Sequence, residues 1–424
     1  MYIKQNVKKS LPSMLLIAIV FVLSTIASLV MGIPVSKITA NFNYSVIVIL
    51  IIMELFTNLI VETGIMQFLA TKLALISKGG KKICIFLFGI LMFFISAFLN
   101  NITAVMMILP VIFVLLKALN ADKKYIAIFF SVILALSNTG GAASPIGDFP
   151  AIVIMTSGIT TFTGYLFRAF PLFFVTSIVL IVLWSFFIKD KNDSKSNQKL
   201  AVELLQSRYR NNKVRLDILI PLGIIMFAMF IAWSVVPQNI VPPEMIAILG
   251  YVIGLVFVSA KGLRIKQSMD MKSVLMISSF LFLATVVSSS GLLTYVAEFL
   301  ENNIPNSKML LIVIMLITSL VSGLVSAGPA AAAMLPVIVN LCNTTLASQS
   351  GWVAIAYAAS ICAGSSLFLW SATAGFILSS KIDDANLGTE KERITWGIKE
   401  YFKYGFVNYL VQMAIAIIWI IVIV

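Results

Sequence analysis

The 424-residue sequence predicts an all-α polytopic membrane protein, built as an inverted repeat with two re-entrant helical hairpins and two unwound transmembrane helices. Three observations predict this class. Hydrophobic residues make up 60% of the chain and charged residues only 11%, with a mean hydropathy of +1.04, whereas soluble domains are about 45–50% apolar. Apolar runs of about 20 residues, the length that crosses a bilayer, recur along the whole chain. Polar breaks also interrupt four of the apolar stretches, and these breaks repeat at a fixed displacement.

Continuous apolar runs predict simple membrane crossings at 11–31, 45–62, 168–188, 217–236, 245–260, 273–289 and 405–424. Two longer stretches, 125–160 and 350–380, also predict crossings, but polar and glycine residues interrupt each of them. The first run follows a basic start, as a signal peptide would. It is longer than a signal h-region, however, and no clear small-residue cleavage site follows it, so we expect it to remain as the first span.

The stretch 83–118 is apolar but is broken near its middle by Asn100, Asn101 and Thr103, and lysines flank both of its ends. Basic flanks indicate the cytoplasmic side, so both ends belong on that side and the stretch predicts a hairpin that turns back inside the membrane. Irregular backbone at that depth is tolerated only where protein or a water-filled cavity covers it. The same argument predicts a second hairpin at 309–347, which enters from the external face and is broken at Ser326, Gly328 and Pro329.

When the sequence is aligned with itself at a displacement of 226 residues, Leu109–Ile112 matches the identical tetrapeptide Leu335–Ile338, and the two hairpin breaks coincide. At this displacement Asn138–Gly140 falls on Gly364–Ser366, so the two interrupted crossings also correspond. Transporter folds often duplicate one unit with opposite orientation in the membrane, and the sequence therefore predicts an inverted repeat.

The distribution of basic residues predicts the topology. With the N-terminus in the cytoplasm, 27 of the 30 Lys and Arg residues lie inside and only Lys37, Arg168 and Lys308 lie outside, a strong positive-inside bias. The net charge of +13 therefore reports orientation in a lipid bilayer and does not indicate nucleic-acid binding. We expect an N-terminal repeat (1–188), a cytoplasmic linker (189–216) and a C-terminal repeat (217–424). This arrangement makes a multi-pass protein of the plasma or inner membrane with an external C-terminus.

The breaks supply the candidate binding residues, because an interrupted helix exposes backbone groups and partial charges inside the membrane. The segment Ala135–Ala151 is rich in glycine, proline and oxygen-bearing side chains, which predicts that it is unwound. Its candidates are Ser137, Asn138, Thr139, Gly141 and Asp148, and the facing hairpin tip adds Asn100, Asn101 and Thr103. These oxygen atoms suit a hard cation such as Na⁺ or hydrogen bonds to an anion. The second half offers Ser326, Gly328, Ser365 and Ser366.

Acidic residues inside a membrane are functional candidates by default. Glu54 and Asp148 are predicted to lie within spans, and either could carry a proton. Glu62 lies two helical turns after Glu54, and an interfacial position is the simpler interpretation for it. The external cations Arg168 and Lys308 could attract an anion or could simply be solvated, and Trp370 could shape a pocket or pack.

Other function classes fit poorly. The chain contains no histidine, so imidazole cannot serve as a metal ligand or general base. The Gly-x-Gly-Asp and Tyr-Asp pairing of intramembrane aspartyl proteases is absent, and so is a phosphate-binding loop for ATP. The sequence thus argues against an enzyme. A passive channel remains an alternative, because broken helices also line pores.

Two motifs resemble a known family. FLNNITAVMMILP (Phe98 to Pro110) is similar to the hairpin-tip signature of the divalent anion/sodium symporter family, and SNTGGAASPIGD (Ser137 to Asp148) resembles the glycine-rich segment of the wider ion transporter superfamily. That superfamily includes arsenite efflux permeases and a sodium/proton antiporter branch. The resemblance implies a homodimer and alternating access, with an anion between the hairpin tips. It also implies a sodium site formed by Asn100, Asn101, Ser137, Asn138 and Gly141, of which Asn101, Ser137 and Asn138 supply the side-chain ligands.

The second half departs from this pattern. Where the symporters usually repeat Ser-Asn-Thr, this chain has Ser326-Ala327-Gly328, so a second sodium site would depend on Ser326, Ser365, Ser366 and backbone carbonyls. The sequence as a whole favours a secondary transporter that couples a small anion, a dicarboxylate or an inorganic oxyanion, to Na⁺ or H⁺, with no other cofactor. The alternative is a sodium/proton antiporter or an arsenite-type efflux permease on the same fold.

Overall fold

The computed structural model describes residues 2–188, 213–262, 271–387 and 395–423, with two short pieces at 203–204 and 207. Most of the predicted linker 189–216 lies outside these residues. The first half contains nine helices: α1 (Tyr2–Val30), α2 (Val35–Asn41), α3 (Tyr44–Val61), α4 (Ile65–Ile76), α5 (Lys81–Phe98), α6 (Asn101–Ala118), α7 (Lys123–Ala143), α8 (Phe149–Thr156) and α9 (Phe162–Phe186).

The second half begins with a helix at the end of the predicted linker. Its main helices are α10 (Leu216–Val235), α11 (Pro243–Ala260), α12 (Met271–Ser289), α13 (Leu292–Asn303), α14 (Ser307–Val325), α15 (Ala327–Asn343), α16 (Ser350–Ser365), α17 (Gly375–Ala385) and α18 (Ile398–Ile423). A short 3₁₀ helix, Ala347–Gln349, precedes α16. No strand occurs in the described part of the chain, and the predicted all-α class is confirmed.

Nine of the described helices are long and apolar enough to cross a membrane, judged by length and composition. They include α5, α6 and α14, which are arms of the predicted hairpins. Two predicted crossings, 11–31 and 273–289, are not among these nine, because the apolar parts found there are the shorter helical stretches Ile17–Val30 and Val274–Ser289. Other differences from the predicted crossings are at the helix ends. Helix α9 begins at Phe162, before the predicted 168, because the Thr161 side chain caps it by accepting a hydrogen bond from the Gly164 N–H. Helix α18 begins at Ile398 rather than 405, since its first turns are charged and lie outside the apolar run.

Both hairpins are interrupted where the sequence predicts. Helix α5 ends at Phe98, Leu99 is extended, and the Asn100 side chain caps α6 by accepting a 2.9 Å hydrogen bond from the Ile102 N–H. In the second hairpin only Ser326 separates α14 from α15, and its φ of 132° lies in a region that favours glycine. Asparagine at the first tip and serine at the second thus end one arm and begin the next.

The first interrupted crossing is unwound over a shorter segment than the sequence predicts. Helix α7 continues through Ser137, Asn138, Thr139 and Gly141, and only residues 144–148 are non-helical. The prediction of unwinding throughout Ala135–Ala151 is wrong because the small polar side chains are accommodated by the helix, where they hydrogen-bond to its own carbonyl groups. In the second half the non-helical segment is 366–374, and Ser365 is the last residue of α16.

Three helices were not predicted: α2, α4 and α13. Helices α4 and α13 are 12-residue segments that each follow a glycine with positive φ, Gly64 at 77° and Gly291 at 80°. Both connect a crossing to a hairpin. Each is too short for a span, so apolar runs of membrane-crossing length do not reveal it in the sequence.

The order of helices repeats along the chain. Helices α3 to α8 begin at residues 44, 65, 81, 101, 123 and 149, and α12 to α17 begin at 271, 292, 307, 327, 350 and 375. Each pair is therefore displaced by 226 or 227 residues, as the motifs indicate. The opposite orientation of the two halves in the membrane stays a prediction.

The packing places all four breaks together. Within each half the first hairpin arm packs against the first part of the interrupted crossing, α5 against α7 and α14 against α16. Across the halves, α8 packs against α15 and α6 contacts α17. Helices α3, α10 and α11 pack against one another, and α12 packs against both α1 and the hairpin arm α15. These helices border the central group.

Candidate substrate and cation site

A cavity of about 550 Å³ lies where the four breaks meet. Both hairpin tips and both interrupted crossings line it, together with α3 and α12. Ligand pockets for small molecules usually occupy about 300–1,000 Å³, so the cavity has room for a small organic solute. Of the predicted site residues, it is lined by Glu54, Asn100, Thr103, Asp148, Ser326 and Gly328.

Glu54 indicates the depth of the cavity in the membrane. It is the eleventh residue of the 18-residue helix α3, which at 1.5 Å per residue is about 27 Å long. Since α3 is just long enough to cross the hydrocarbon core, its middle lies near mid-depth. The tips at Asn100 and Ser326 border the same cavity as Glu54, and the re-entrant course of the hairpin arms stays a prediction.

Four helices begin at the wall of this cavity. Asn100 caps α6, Asp148 caps α8 and Ser326 precedes α15, while Phe376 is the second residue of α17. A helix N-terminus carries a partial positive charge and N–H groups that lack partners within the helix. Four converging N-termini can therefore stabilise an anion without a basic side chain.

Two charged side chains occur in the described lining of the cavity, and both are acidic. Glu54 and Asp148 are carboxylates, and no Lys or Arg occurs among the described lining residues. Most of the remaining lining is apolar. An anion in this cavity would be attracted by the helix ends and repelled by ionised carboxylates, so neutralising one carboxylate would favour its binding.

Asn101 and Asp148 form a hydrogen-bonded pair behind the tip, in which Asn101 is buried and Asp148 is partly exposed to the cavity. The Asn101 Nδ2 donates a 3.0 Å hydrogen bond to Asp148 Oδ2, and the Phe149 N–H donates a 2.8 Å bond to Asp148 Oδ1. Asn101 is fully buried, yet its Oδ1 has no hydrogen-bond partner. Leaving such an acceptor unpaired costs about 1–3 kcal/mol. A cation is the kind of ligand that this oxygen lacks.

Two glycines allow this pair to pack against α7. A Cβ on Gly141 would lie 2.8 Å from Asn101 Oδ1 and 2.8 Å from Asp148 Cβ. A Cβ on Gly147 would lie 2.5 Å from the Gly141 carbonyl oxygen and 2.7 Å from the Ser96 carbonyl oxygen. Any side chain at either position would displace the Asn101–Asp148 pair.

The structure places the other α7 candidates away from the cavity. Ser137 donates to the Leu134 carbonyl, and the Thr139 hydroxyl lies 2.7 Å from the Ser177 hydroxyl on α9. Thr139 therefore holds two helices together in this structure. Asn138 is 4% exposed and borders a much smaller cavity of about 10 Å³, which Asp148 and Ser365 also border.

Ser366 belongs to a hydrogen-bond network that the sequence analysis did not identify. Its hydroxyl accepts from Asn138 Nδ2 at 3.3 Å and from Gln412 Nε2 at 3.0 Å, and its carbonyl accepts from the Tyr401 hydroxyl at 2.7 Å. The Cys362 thiol completes the network by donating to Gln412 Oε1 at 3.4 Å. A buried glutamine within the last apolar run is the signal that could have revealed it.

The remaining candidates lie at the periphery. Glu62 follows α3 as its C-cap residue. The Arg168 guanidinium lies 5.4 Å from the centre of the Trp352 ring, and Lys308 Nζ donates to the Ile421 carbonyl at 3.4 Å. Trp370 does border the cavity, where its indole N–H donates to the Leu324 carbonyl at 3.2 Å. That bond ties the second break to the end of α14.

Comparison with known proteins identifies the family. The model of the citrate transporter family matches residues 3–362 and 228–424, which together cover nearly the whole chain. The chain belongs to the citrate transporter family. Its predicted place in the ion transporter superfamily is thereby confirmed, and it is a multi-pass membrane transporter rather than an enzyme.

Individual relatives agree with this assignment. An uncharacterized transporter of Mycobacterium tuberculosis (strain CDC 1551 / Oshkosh) is 22% identical over 303 residues, covering 71% of this chain and 69% of the relative. The P protein of Mus musculus is 32% identical over 125 residues, covering 30% of this chain and 15% of the P protein. The crystal structure of the YdaH transporter of Alcanivorax borkumensis matches with a TM-score of 0.58 at 14% identity, over 97% of each chain. This last similarity shows the shared fold.

Proposed function

We propose that this member of the citrate transporter family is a secondary active transporter, in which Na⁺ or H⁺ drives a small anion through alternating access. The observation that carries the proposal is the convergence of four helix N-termini on one cavity with no basic side chain in its described lining. The family's name suggests citrate as a candidate substrate. The sequence motifs suggest a dicarboxylate or an inorganic oxyanion.

The two carboxylates provide a reason for coupling. With Glu54 and Asp148 both ionised, the cavity repels an anion, and a cation bound beside them removes part of that repulsion. Binding of the cation then raises the affinity for the anion, and by thermodynamic linkage the anion raises the affinity for the cation by the same factor. Because each ion raises the affinity for the other, transport of the cation and the anion together is favoured.

The experiment is uptake into proteoliposomes with citrate, succinate and sulfate as alternative substrates. A sodium gradient and a pH gradient are imposed separately. We expect at least one of these anions to accumulate against its own gradient when one of the two cation gradients is present. Uptake that depends on neither the sodium gradient nor the pH gradient would refute the proposal. Uptake that never raises the internal anion concentration above its equilibrium value would indicate a channel.

A second candidate is a sodium/proton antiporter or an arsenite-type efflux permease. It is favoured by the observation that both charged groups in the described lining are carboxylates, which bind cations and protons directly. A pH-sensitive dye inside the vesicles distinguishes the candidates. Dissipation of a pH gradient on addition of Na⁺ alone, abolished in Asp148→Asn, would support the antiporter and exclude obligatory anion coupling.

We also propose that the transporter is a homodimer, as the resemblance to the symporters implies. Crosslinking in native membranes, followed by electrophoresis, measures it directly. A ladder that ends at two copies is the expected result.

A further inference from the structure

We propose that the preferred substrate is an organic monocarboxylate with an apolar body about the size of a phenyl ring, and that Phe376 contributes to its recognition. This inference rests on the proposed cation-coupled anion transport and names the substrate class of the same cavity. A compact polyanion such as citrate should bind more weakly. Three features of the cavity support this substrate class: its charges, its apolar walls and one exposed ring.

The charges around the cavity favour a ligand with one anionic group over a ligand with several. Attraction comes from the four helix N-termini at the breaks, whereas Glu54 and Asp148 repel every anionic group of a ligand. No Lys or Arg in the described lining compensates for a second or third carboxylate. Each added carboxylate therefore meets the same repulsion, and fewer helix N–H groups remain to bind it.

The two acidic residues lie on different walls of the cavity. Asp148 caps α8 at the first break, among the helix N-termini, whereas Glu54 belongs to α3, which packs against α12. The other side chains that α3 and α12 contribute to the lining are mostly apolar: Leu50, Met53, Thr57, Met276 and Ile277. No helix begins on this wall, so a ligand charge that points toward it meets only a carboxylate and aliphatic groups. The carboxylate of the ligand therefore binds at the breaks, and an apolar body packs on the wall of α3 and α12.

Aromatic rings complete the apolar lining, and three of them are held by other parts of the protein. Phe98 and Trp370 are each stacked against a neighbouring ring, with ring centres 5.9 Å and 4.3 Å apart. Phe149 is buried, and its ring lies against the second hairpin tip at Gly328. These three rings shape the cavity but have little free surface for a ligand.

Phe376 is the fourth ring, and its surface is available. It borders the cavity, is 58% exposed, and forms no ring contact within the parts of the chain that the structure describes. An aromatic side chain in this position gains free energy when a ligand covers it. Its backbone N–H belongs to the first turn of α17, where helix N–H groups lack partners within the helix. Phe376 thus combines an anion-binding N–H with an apolar ring, which matches a carboxylate attached to a phenyl group.

The volume of the cavity agrees with a ligand that has an apolar body. About 550 Å³ is within the range of about 300–1,000 Å³ that is usual for small-molecule pockets. A sulfate ion or a short dicarboxylate would leave most of the apolar wall in contact with water. An apolar body removes this wall from water, and the ligand then gains affinity from the wall as well as from the helix ends.

The test is isothermal titration calorimetry of the purified full-length protein at neutral pH in the presence of Na⁺. The titrants are propionate, 3-phenylpropionate and citrate, and a titration into protein-free detergent is subtracted. Direct binding avoids the passive diffusion of aromatic acids through a bilayer. We expect 3-phenylpropionate to bind at least about tenfold more tightly than either propionate or citrate, because only its phenyl ring covers the apolar wall.

The variant Phe376→Ala tests the contribution of the exposed ring. Its affinity for 3-phenylpropionate should fall by about threefold to tenfold. Its affinity for propionate should stay within about twofold of the wild-type value, because the backbone N–H remains in place. Phe167→Ala is the matched control, since Phe167 is 74% exposed on α9 and lies outside the described lining. This control should bind all three ligands as the wild type does.

Several results would overturn the inference. Citrate that binds as tightly as 3-phenylpropionate would contradict the substrate class, and so would equal affinities for propionate and 3-phenylpropionate. An unchanged Phe376→Ala, or an equal loss in Phe167→Ala, would contradict the role of Phe376. Cation-driven citrate uptake into proteoliposomes would then leave the proposed transport function intact. Tight binding of 3-phenylpropionate, together with uptake that depends on neither cation gradient, would instead support the substrate class and refute the coupling, so the two failures are distinguishable.

Discussion

Among the individual residues, Glu54 supplies one of the two carboxylates in the described lining of the cavity. Its carboxylate lines the cavity near mid-depth and is 8% exposed. An ionised group repels a bound anion, and a tenfold change in affinity needs only about 1.4 kcal/mol. Unit charges 4 Å apart interact by about 4 kcal/mol at an effective dielectric of 20, so one carboxylate is sufficient for a measurable effect.

We therefore expect Glu54→Gln to raise the affinity for the anion, because the variant loses one of the two carboxylates that repel it. The half-saturating anion concentration for uptake should fall by about tenfold, which corresponds to about 1.4 kcal/mol. Uptake at a series of anion concentrations, at one pH and without a pH gradient, measures this. Glu62→Gln is the control because Glu62 lies at the end of the same helix and outside the cavity lining; a matching effect in Glu62→Gln would contradict the assignment.

At the scale of helices, glycine contacts fix the distance between each hairpin and its interrupted crossing. Gly140 and Gly364 hold α7 and α16 against the carbonyl groups of α5 and α14. Backbone atoms cannot move aside as a flexible side chain can, so an added methyl group must separate the helices. Small residues at such contacts are typical of helix packing in membranes.

Gly140→Ala and Gly364→Ala should each destabilise the protein by at least about 1–3 kcal/mol, the usual range for overpacking. Gly223→Ala is the matched control, since nothing lies within 4 Å of its added Cβ. Alanine favours a helix over glycine by about 0.5–1 kcal/mol, so this control should be neutral or stabilising. Thermal unfolding in detergent, followed by intrinsic fluorescence, gives the ranking. Equal losses for all three variants would show that helix separation is not the cause.

The hairpin tips also predict a pattern of water access. Thr103 lines the cavity beside the first tip, whereas Phe94 lies on the exposed surface of α5. We expect Thr103→Cys to react with a charged thiol reagent and to be protected by a transported anion. Phe94→Cys should stay unreactive because lipid covers it. The natural cysteines Cys84, Cys342 and Cys362 are all buried, which keeps the background low. If Phe94→Cys reacted and Thr103→Cys did not, Phe94 would face the water-filled cavity and Thr103 the lipid, which is the opposite of the proposed orientation of the hairpin.

The helices also show where sequence patterns are informative. Asn100 and Ser326 revealed the hairpin breaks because a polar residue amid apolar ones must either bind something or end a helix. Composition could not set the length of the unwound segment, since a helix tolerates Ser137 and Thr139 once they bond to its own carbonyls. A displacement of 226 matches the hairpins but not the glycines: Gly140 and Gly364 meet the equivalent carbonyls of Phe93 and Ser319, yet the two glycines are only 224 residues apart, which the contacts alone reveal.

At the scale of the whole molecule, two halves with the same helix order meet at one cavity. The residues that line it come from segments far apart in sequence, and α8 of the first half packs on α15 of the second. Periodicity could identify each element but not which breaks face each other. Both halves shape the cavity, although the second tip has Ala327 where the first has Asn101.

The orientation of the two halves gives the last prediction. If they are inverted in the membrane, the loop after the first hairpin is cytoplasmic and the loop between α10 and α11 is external. Asn120→Cys should then react with a membrane-impermeant thiol reagent only from the inside, and Asn239→Cys only from the outside. Labelling of intact cells and of inverted vesicles measures both. Lys81 lies 3.9 Å from Asp122 beside the loop after the first hairpin, and the excess of lysines around this loop favours the cytoplasmic side. Reaction of both positions from the same side would require an odd number of crossings between them to become even. One of the three segments between them, the interrupted crossing α7–α8, α9 or α10, would then not cross the membrane, and the predicted topology would be wrong.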